Sequence, residues 1–407
     1  MTPEIKQRIE QIRRGEVPEG YVKKRKVVIP QQWGLPQIKD IASISSGSTP
    51  NRNNSEYWNG NIAWVTTGEL SSGHVNHTSE LITVKAVKET KMRIYPQGTL
   101  LMAMYGQGKT RGTVAILEID AAVNQACAAI TVKDGKSKFL FYQLKNSYQD
   151  IRKLSNTGNQ ENLNADIIKT YQVPWAPDEE QERISTILTT QDKVIELKEK
   201  RLAEKQRQKK YLMQQLLTGK KRLPGFSGEW KNIKLCEVLS ERKEKNVEQN
   251  LRICSVAVQK GVVDQVEHLG RSYAANDTSN YSVAHYGDII YTKSPTGDFL
   301  YGIVKQNLLQ ETVAVSPLYG VFTPLTFGLG YFLHTYFQSA ICARNYLLPI
   351  VQKGAKNTIN ITNDTFISSK LYLPLDVEEQ KAIADTFIAA DREIELLQQD
   401  IEQEKQK

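Results

Sequence analysis

The sequence predicts an α+β protein: two similar mixed α/β domains separated by two long antiparallel coiled-coil helices, in a cyclic pseudo-twofold arrangement. Three observations carry that expectation. Asn162-Leu163-Asn164, Pro174 and Glu179-Glu180-Gln181 are answered by Asn360-Ile361-Thr362, Pro374 and Glu378-Glu379-Gln380, and so long a period marks a duplicated domain rather than a solenoid. Trp33, Ile38, Asp40 and Ile41 match Trp230, Leu235, Glu237 and Val238. Each unit then closes on a tract of seven-residue hydrophobic rows.

The 407 residues, 40% hydrophobic and 24% charged, suffice for two cores. No apolar run approaches the ~18–20 residues that span a bilayer. The polar start, Thr2-Pro3-Glu4-Ile5, lacks a secretory core, so a cytoplasmic location without membrane contact is expected. Cys127, Cys236, Cys254 and Cys342 are scattered, with no Cys-x-x-Cys pair, which supports neither a zinc site nor a disulfide framework. His74 and His77 lack a third ligand nearby and read as surface residues. A net charge of +8 suits a polyanionic partner.

In chain order, a helix is expected at about residues 2–14, with Ile5, Ile9 and Ile12 on one face. It should pack near the C-terminal helix end. Residues 1–30 form that lead-in, 31–177 the first domain, 178–222 the first long helix, 223–375 the second domain and 376–407 the second helix. Gly98-Thr99-Leu100-Leu101-Met102 and Gly287-Asp288-Ile289-Ile290-Tyr291 read as buried strands. The middles, about 45–95 and 242–285, diverge: one frame, two variable surfaces.

Both helices open on capping-box spacing, Asp178-Glu179-Glu180-Gln181 and Asp376-Val377-Glu378-Glu379. Acids in a first turn favour the helix dipole, a simpler role than acid–base catalysis. Ile184, Leu188, Ile195, Leu202, Leu212 and Leu216 are assigned to a seam with Ile383, Phe387, Ile394, Leu397 and Ile401. Lys198, Lys205 and Lys209 make its middle polar.

Gly106-Gln107-Gly108-Lys109-Thr110 imitates a phosphate loop, but Ala103 stands where the first glycine belongs. Arg111-Gly112-Thr113-Val114-Ala115-Ile116 reads as a further strand, so a hairpin tip fits better. Its counterpart is Lys293-Ser294-Pro295-Thr296-Gly297. No Pro-Pro pair offers an amino-methyltransferase tetrapeptide, and the five histidines suggest no nucleophilic triad. No catalytic or metal-ligating residue is assigned, and a non-catalytic chain is expected. An NTPase using the glycine-rich loop and a scaffold without nucleic-acid contact are the competing readings.

Several pieces carry a family resemblance. They are Tyr57-Trp58 with Ile62-Ala63-Trp64-Val65, Tyr105-Gly106-Gln107-Gly108-Lys109-Thr110-Arg111-Gly112, Asn124-Gln125-Ala126, and the two proline-plus-Glu-Glu-Gln helix starts. Leu216-Leu217-Thr218-Gly219 before Leu223-Pro224-Gly225-Phe226-Ser227-Gly228-Glu229-Trp230 completes them. In this order, over nearly the whole chain, they resemble the specificity subunit of type I restriction–modification systems. The resemblance implies two target-recognition domains, each reading half of a bipartite, asymmetric site in double-stranded DNA. It also implies helices that space the domains and dock two methyltransferase subunits, and restriction subunits that join the complex. S-adenosylmethionine, ATP and Mg are then expected on those partners and none on this chain.

A helix of about 38 residues spans ~57 Å, against ~34–36 Å between successive major-groove faces. Its length would fix the gap between half-sites. Basic loop residues would neutralise phosphates while amides and aromatics reach base edges. The DNA-facing candidates are Arg52, Asn53, Tyr105, Gln107, Lys109, Thr110 and Arg111 in the first domain, and Arg271, Asn276, Lys293, Ser294 and Thr296 in the second. The second variable region lacks the Tyr-Trp-x-Gly-x-Ile pattern. The second helix stops at the equivalent of Gln208, so the N-terminal helix is expected to supply the counterpart of Tyr211–Leu217.

Overall fold

Alternation of side chains along a strand places successive residues on opposite faces of a sheet, so an unbroken apolar run needs cover on both. The computed structural model, which describes residues 2–406 except 107, 155–161, 272–273, 275 and 354–358, meets that need in the same way twice. The chain divides into two units, Met1–Val194 and Ile195–Lys407.

The first unit begins with α1 (Pro3–Arg13), capped by the Thr2 hydroxyl and opened by a proline that needs no amide partner there. None of its residues is buried. Then come β1 (Ala42–Ser46), β2 (Trp58–Val65), β3 (His74–Val75), β4 (Glu80–Ile82), α2 (Val84–Thr90), β5 (Leu100–Ala103), β6 (Val114–Leu117), β7 (Ala121–Val123) and β8 (Cys127–Val132). Helices α3 (Ser137–Asn146) and α4 (Tyr148–Lys153) follow. One sheet runs β1-β8-β5-β6-β3, the other β4-β2-β7. Leu100 and Met102 of β5 join the cluster containing Leu140, Phe141 and Leu144 of α3. Leu101 and Ala103 join Val65 and Val123 of the second sheet. Each such large aliphatic side chain contributes about 1.5–3 kcal/mol on burial.

Trp58-Asn59-Gly60 forms an irregularity in β2, where the register against β4 shifts. Asn59 takes φ +60°, and a Cβ at Gly60 would lie 2.3 Å from the Ile82 carbonyl oxygen. Only glycine permits that approach.

Helix α5 (Asp178–Leu216) passes from the first unit into the second. It stops short of residue 222 because the chain turns through Gly219 at φ +68°.

The second unit contains β9 (Trp230–Lys234), β10 (Leu239–Glu241), β11 (Ile253–Ala257), β12 (Gly261–Asp264), β13 (Ser282–Ala284), β14 (Ile289–Tyr291), β15 (Val304–Gln306), β16 (Val313–Val315) and β17 (Gly320–Pro324). Helix α6 (Phe327–Tyr336), β18 (Lys370–Pro374) and α7 (Val377–Gln406) complete it. Its sheets run β10-β17-β14-β15 and β12-β11-β16-β13, so the first repeats β1-β8-β5-β6. Each second sheet holds one parallel pair, β2 with β7 and β11 with β16. Ile289 and Tyr291 face the cluster that contains α6, while Ile290 faces the other sheet.

Helix α7 lies antiparallel to the part of α5 that belongs to this unit. Lys198 Nζ is 2.8 Å from Asp400 and 2.7 Å from Glu404. Further toward the C-terminus of α5, Lys205 meets Glu393 at 2.9 Å and Lys209 pairs with Asp391. Lys405 reaches Glu199 at 2.9 Å. The polar seam positions are thus ion-paired, and the hydrogen bonds that Lys198 donates to Asp400 and then Glu404 raise its pKa. Ile401 is buried, and Ile195, Leu202, Ile394 and Leu397 are half-buried. Ile383, Phe387 and Leu216 lie within the domain core beside Trp230 and Phe332, with Leu212 packed against it. At this end the two helices share their apolar side chains with the domain core, where the first turns of α7 rest on α6. In the first unit Ile184 and Leu188 are half-buried.

Candidate nucleic-acid interface

A device written into both units ties each domain to the start of its long helix. The lead-in tryptophan donates its indole N–H to the second glutamate of each Glu-Glu-Gln helix start. Trp33 reaches Glu180 Oε2 at 2.9 Å, and Trp230 reaches Glu379 Oε2 at 3.1 Å. Glu379 also accepts from Arg222, whose guanidinium lies 5.5 Å from the Trp230 ring centroid. A second repeated contact joins Tyr142 to Asp192 at 2.8 Å and Tyr331 to Asp391 at 2.9 Å. Burial pushes the Tyr142 hydroxyl up to about 12. These acids hold the frame together, and for Glu180 and Glu379 that is a role beyond the helix-start function their spacing suggested.

The glycine-rich segment joins antiparallel β5 to β6, as the hairpin reading requires. Tyr105 is 41% exposed and Lys109 is exposed, whereas Thr110 is half-buried. Arg111, expected at the loop surface, is only 7% exposed, so its side chain cannot serve as an exposed phosphate contact in this conformation. Gln107 lies outside the described residues. Helix α4 grips the loop from one side. Tyr148 Oη donates to the Lys109 carbonyl at 2.6 Å. Arg152 donates to the carbonyls of Arg111 and Gly108, both at 2.8 Å. The Arg152 guanidinium lies 5.3 Å from the Tyr148 ring centroid. Sequence reasoning missed both gripping residues; an aromatic and an arginine four apart on one short helix was the available signal.

Arg52 and Asn53 lie on another loop, between β1 and β2. The Arg52 guanidinium lies over the Trp58 ring at 4.2 Å and pairs with Glu80, Nη2 to Oε2 at 3.0 Å. That hydrogen bond holds the Glu80 carboxyl below its usual range and raises Arg52. Trp58 donates to the Asn51 carbonyl at 3.2 Å, and Asn53 is exposed. Arg52 is therefore a presented, oriented cation on a flat aromatic platform.

In the second unit, Lys293, Ser294 and Thr296 share the β14–β15 connection, while Arg271 and Asn276 share the longer one between β12 and β13. Arg271, Asn276, Ser294 and Thr296 are exposed. Lys293 is half-buried at φ +59°, and burial lowers its ammonium pKa. This loop braces itself: the backbones of Thr296 and Phe299 exchange two hydrogen bonds at 3.0 Å.

His74 pairs with Glu118 at 2.8 Å. No group of three metal-competent side chains occurs among the described residues. None of their helices is long and apolar enough to cross a membrane.

Residues 30–206 and 228–405 each match the family model described as the type I restriction modification DNA specificity domain. The MjaIX type I restriction enzyme specificity subunit of Methanocaldococcus jannaschii is 34% identical over 178 residues, which cover 42% of this chain and 40% of that protein. A type I restriction enzyme specificity subunit of Escherichia coli is 21% identical over 156 residues, covering 37% of this chain and 39% of its own length. The chain thus matches about two-fifths of each curated relative. Among solved structures, the type I restriction–modification S subunit from M. genitalium superposes with a TM-score of 0.59 at 11% identity, covering 94% of this chain and 95% of that one. A chain from a study of type I complex assembly and conformational transition gives 0.51 at 15% identity, covering 93% and 95%.

Proposed function

This chain belongs to the type I restriction modification DNA specificity family, with two copies of the domain, and from that premise we propose that it reads a bipartite, asymmetric target in double-stranded DNA, one unit per half-site. The observation that carries the reading is the repeated sheet order holding unlike loops. A shared frame gives both units the same way of offering a hairpin tip; different tips give different half-sites.

The helices are the docking surfaces for two methyltransferase subunits, and restriction subunits join the assembly. S-adenosylmethionine, ATP and Mg act on those partners, while this chain supplies recognition without catalysis, in the cytoplasm. The NTPase alternative loses its footing in the fold: Lys109 sits between two antiparallel strands, whereas a phosphate loop leads into a helix N-terminus. A scaffold without nucleic acid would not explain two copies of a DNA specificity domain on one chain.

Footprinting of the complete assembly tests the reading. Two protected half-sites separated by unprotected base pairs are expected; one contiguous footprint, or none, would overturn it. The affinity should also fall steeply with salt, as phosphate contacts require.

A further inference from the structure

Three backbone carbonyls of one exposed loop point at one helix, and that orientation has a chemical consequence on the loop's opposite side. In a trans peptide the C=O and N–H point in opposite directions, and the described residues contain no cis bond. The Gly108 carbonyl faces Arg152, so the Lys109 amide is directed away from α4. The Lys109 carbonyl faces Tyr148, so the Thr110 amide is directed away as well. Two consecutive N–H groups therefore share the side remote from α4. Lys109 is exposed, and its ammonium pairs with no carboxylate among the described residues.

The glycines make this possible. Gly108 takes φ +62°, and Gly112, at φ +83°, would place a Cβ 3.2 Å from Arg152 Cγ. The bare backbone lets α4 approach, and the oxygens that would repel an anion are drawn to the other face. Adjacent amides backed by a cation make an anion-binding concavity.

We propose that the backbone of residues 108–110, with Lys109, seats a phosphodiester of the bound duplex, and that Arg152 and Tyr148 are positioning residues that hold the seat open. The proposal rests on the reading of the chain as a DNA-binding subunit. Such a contact fixes register without reading bases.

The test measures DNA affinity of the complete assembly against salt for wild type, Lys109→Gln, Arg152→Met, the double variant and Tyr148→Phe. Lys109→Gln should lower the slope of log affinity against log salt by about 1. Arg152→Met should also lower it, and the double variant no further than Lys109→Gln alone, because one seat is lost in each case. Should Arg152→Met fail to fold, Tyr148→Phe, lacking one hydroxyl, should still show a smaller fall. The methylated sequence should stay the same in every variant.

An unchanged slope in Lys109→Gln would overturn the seat. Additive slopes would show that Arg152 touches DNA itself, and an altered target would make the loop a base reader; either result overturns the proposal. A wild-type assembly with no salt-dependent affinity would instead overturn the DNA reading, and this site with it.

Discussion

The two hairpin tips, one in each unit, solve the same problem by different means. The loop between β5 and β6 is held from outside, by Tyr148 and Arg152 of α4. The loop between β14 and β15 is held from within, by the Thr296–Phe299 exchange and a half-buried Lys293. Beneath them the sheet order, the tryptophan–glutamate bond and the tyrosine–aspartate bond are common to both. The contrast shows where change is tolerated: the frame is shared, and each tip's support is private. A tip can therefore be exchanged only together with whatever braces it.

The largest test of that contrast exchanges residues 45–153, which contain the first tip and its brace, for the same segment of a related chain. One half-site should be replaced entirely and the other left intact, as read by mapping methylated bases in a host. A change in both half-sites would break the comparison.

Next in size are the frame acids. Glu379 is buried between Arg222 and Trp230, so Glu379→Ala strands a partly buried guanidinium and should cost about 3 kcal/mol. Glu180 is half-buried and accepts from Trp33, so Glu180→Ala should cost about 1 kcal/mol. Denaturant unfolding of the two variants checks the order.

A smaller, pH-dependent difference belongs to the second unit alone. Burial, and then the charge of Lys209, hold the Lys305 ammonium down to about 8 from 10.5. Between those values the unfolded chain binds a proton that the folded chain does not, so this group's contribution to stability rises with pH across that window. The rise should be present in wild type and missing in Lys305→Met, compared by thermal unfolding at pH 8 and 10.

The smallest effect on stability is expected at Arg52. Its pair with Glu80 is exposed, so Arg52→Ala should change unfolding by less than about 1 kcal/mol. The same variant should weaken or relax reading of the first half-site only, as a methylation map would record.

Much of the frame was legible because it rests on local pattern. The glycine-led runs became β5 and β14, and the Glu-Glu-Gln signals opened α5 and α7. What stayed hidden depends on distant chain segments. The parallel pairing of β11 with β16 joins residues about 60 apart, and the second variable region carries no motif to announce it. The burial of Arg111 and the grip of α4 on the loop are likewise tertiary facts. Ile383 and Phe387 fitted a seam by periodicity, yet α6 offered them a deeper contact. Of the loop candidates, exposure separates Lys109 from Arg111, and sequence alone held them equal.

The ion-paired seam makes ionic strength act on this molecule twice. Electrolyte that strips a duplex from its cations also screens the attraction of Lys198 and Lys205 for the acids of α7. A loss of affinity at high salt thus mixes released polymer with a loosened rod, and helicity followed by circular dichroism in the same titration would separate them. Comparisons among loop variants escape the confusion, since every variant carries the same rod.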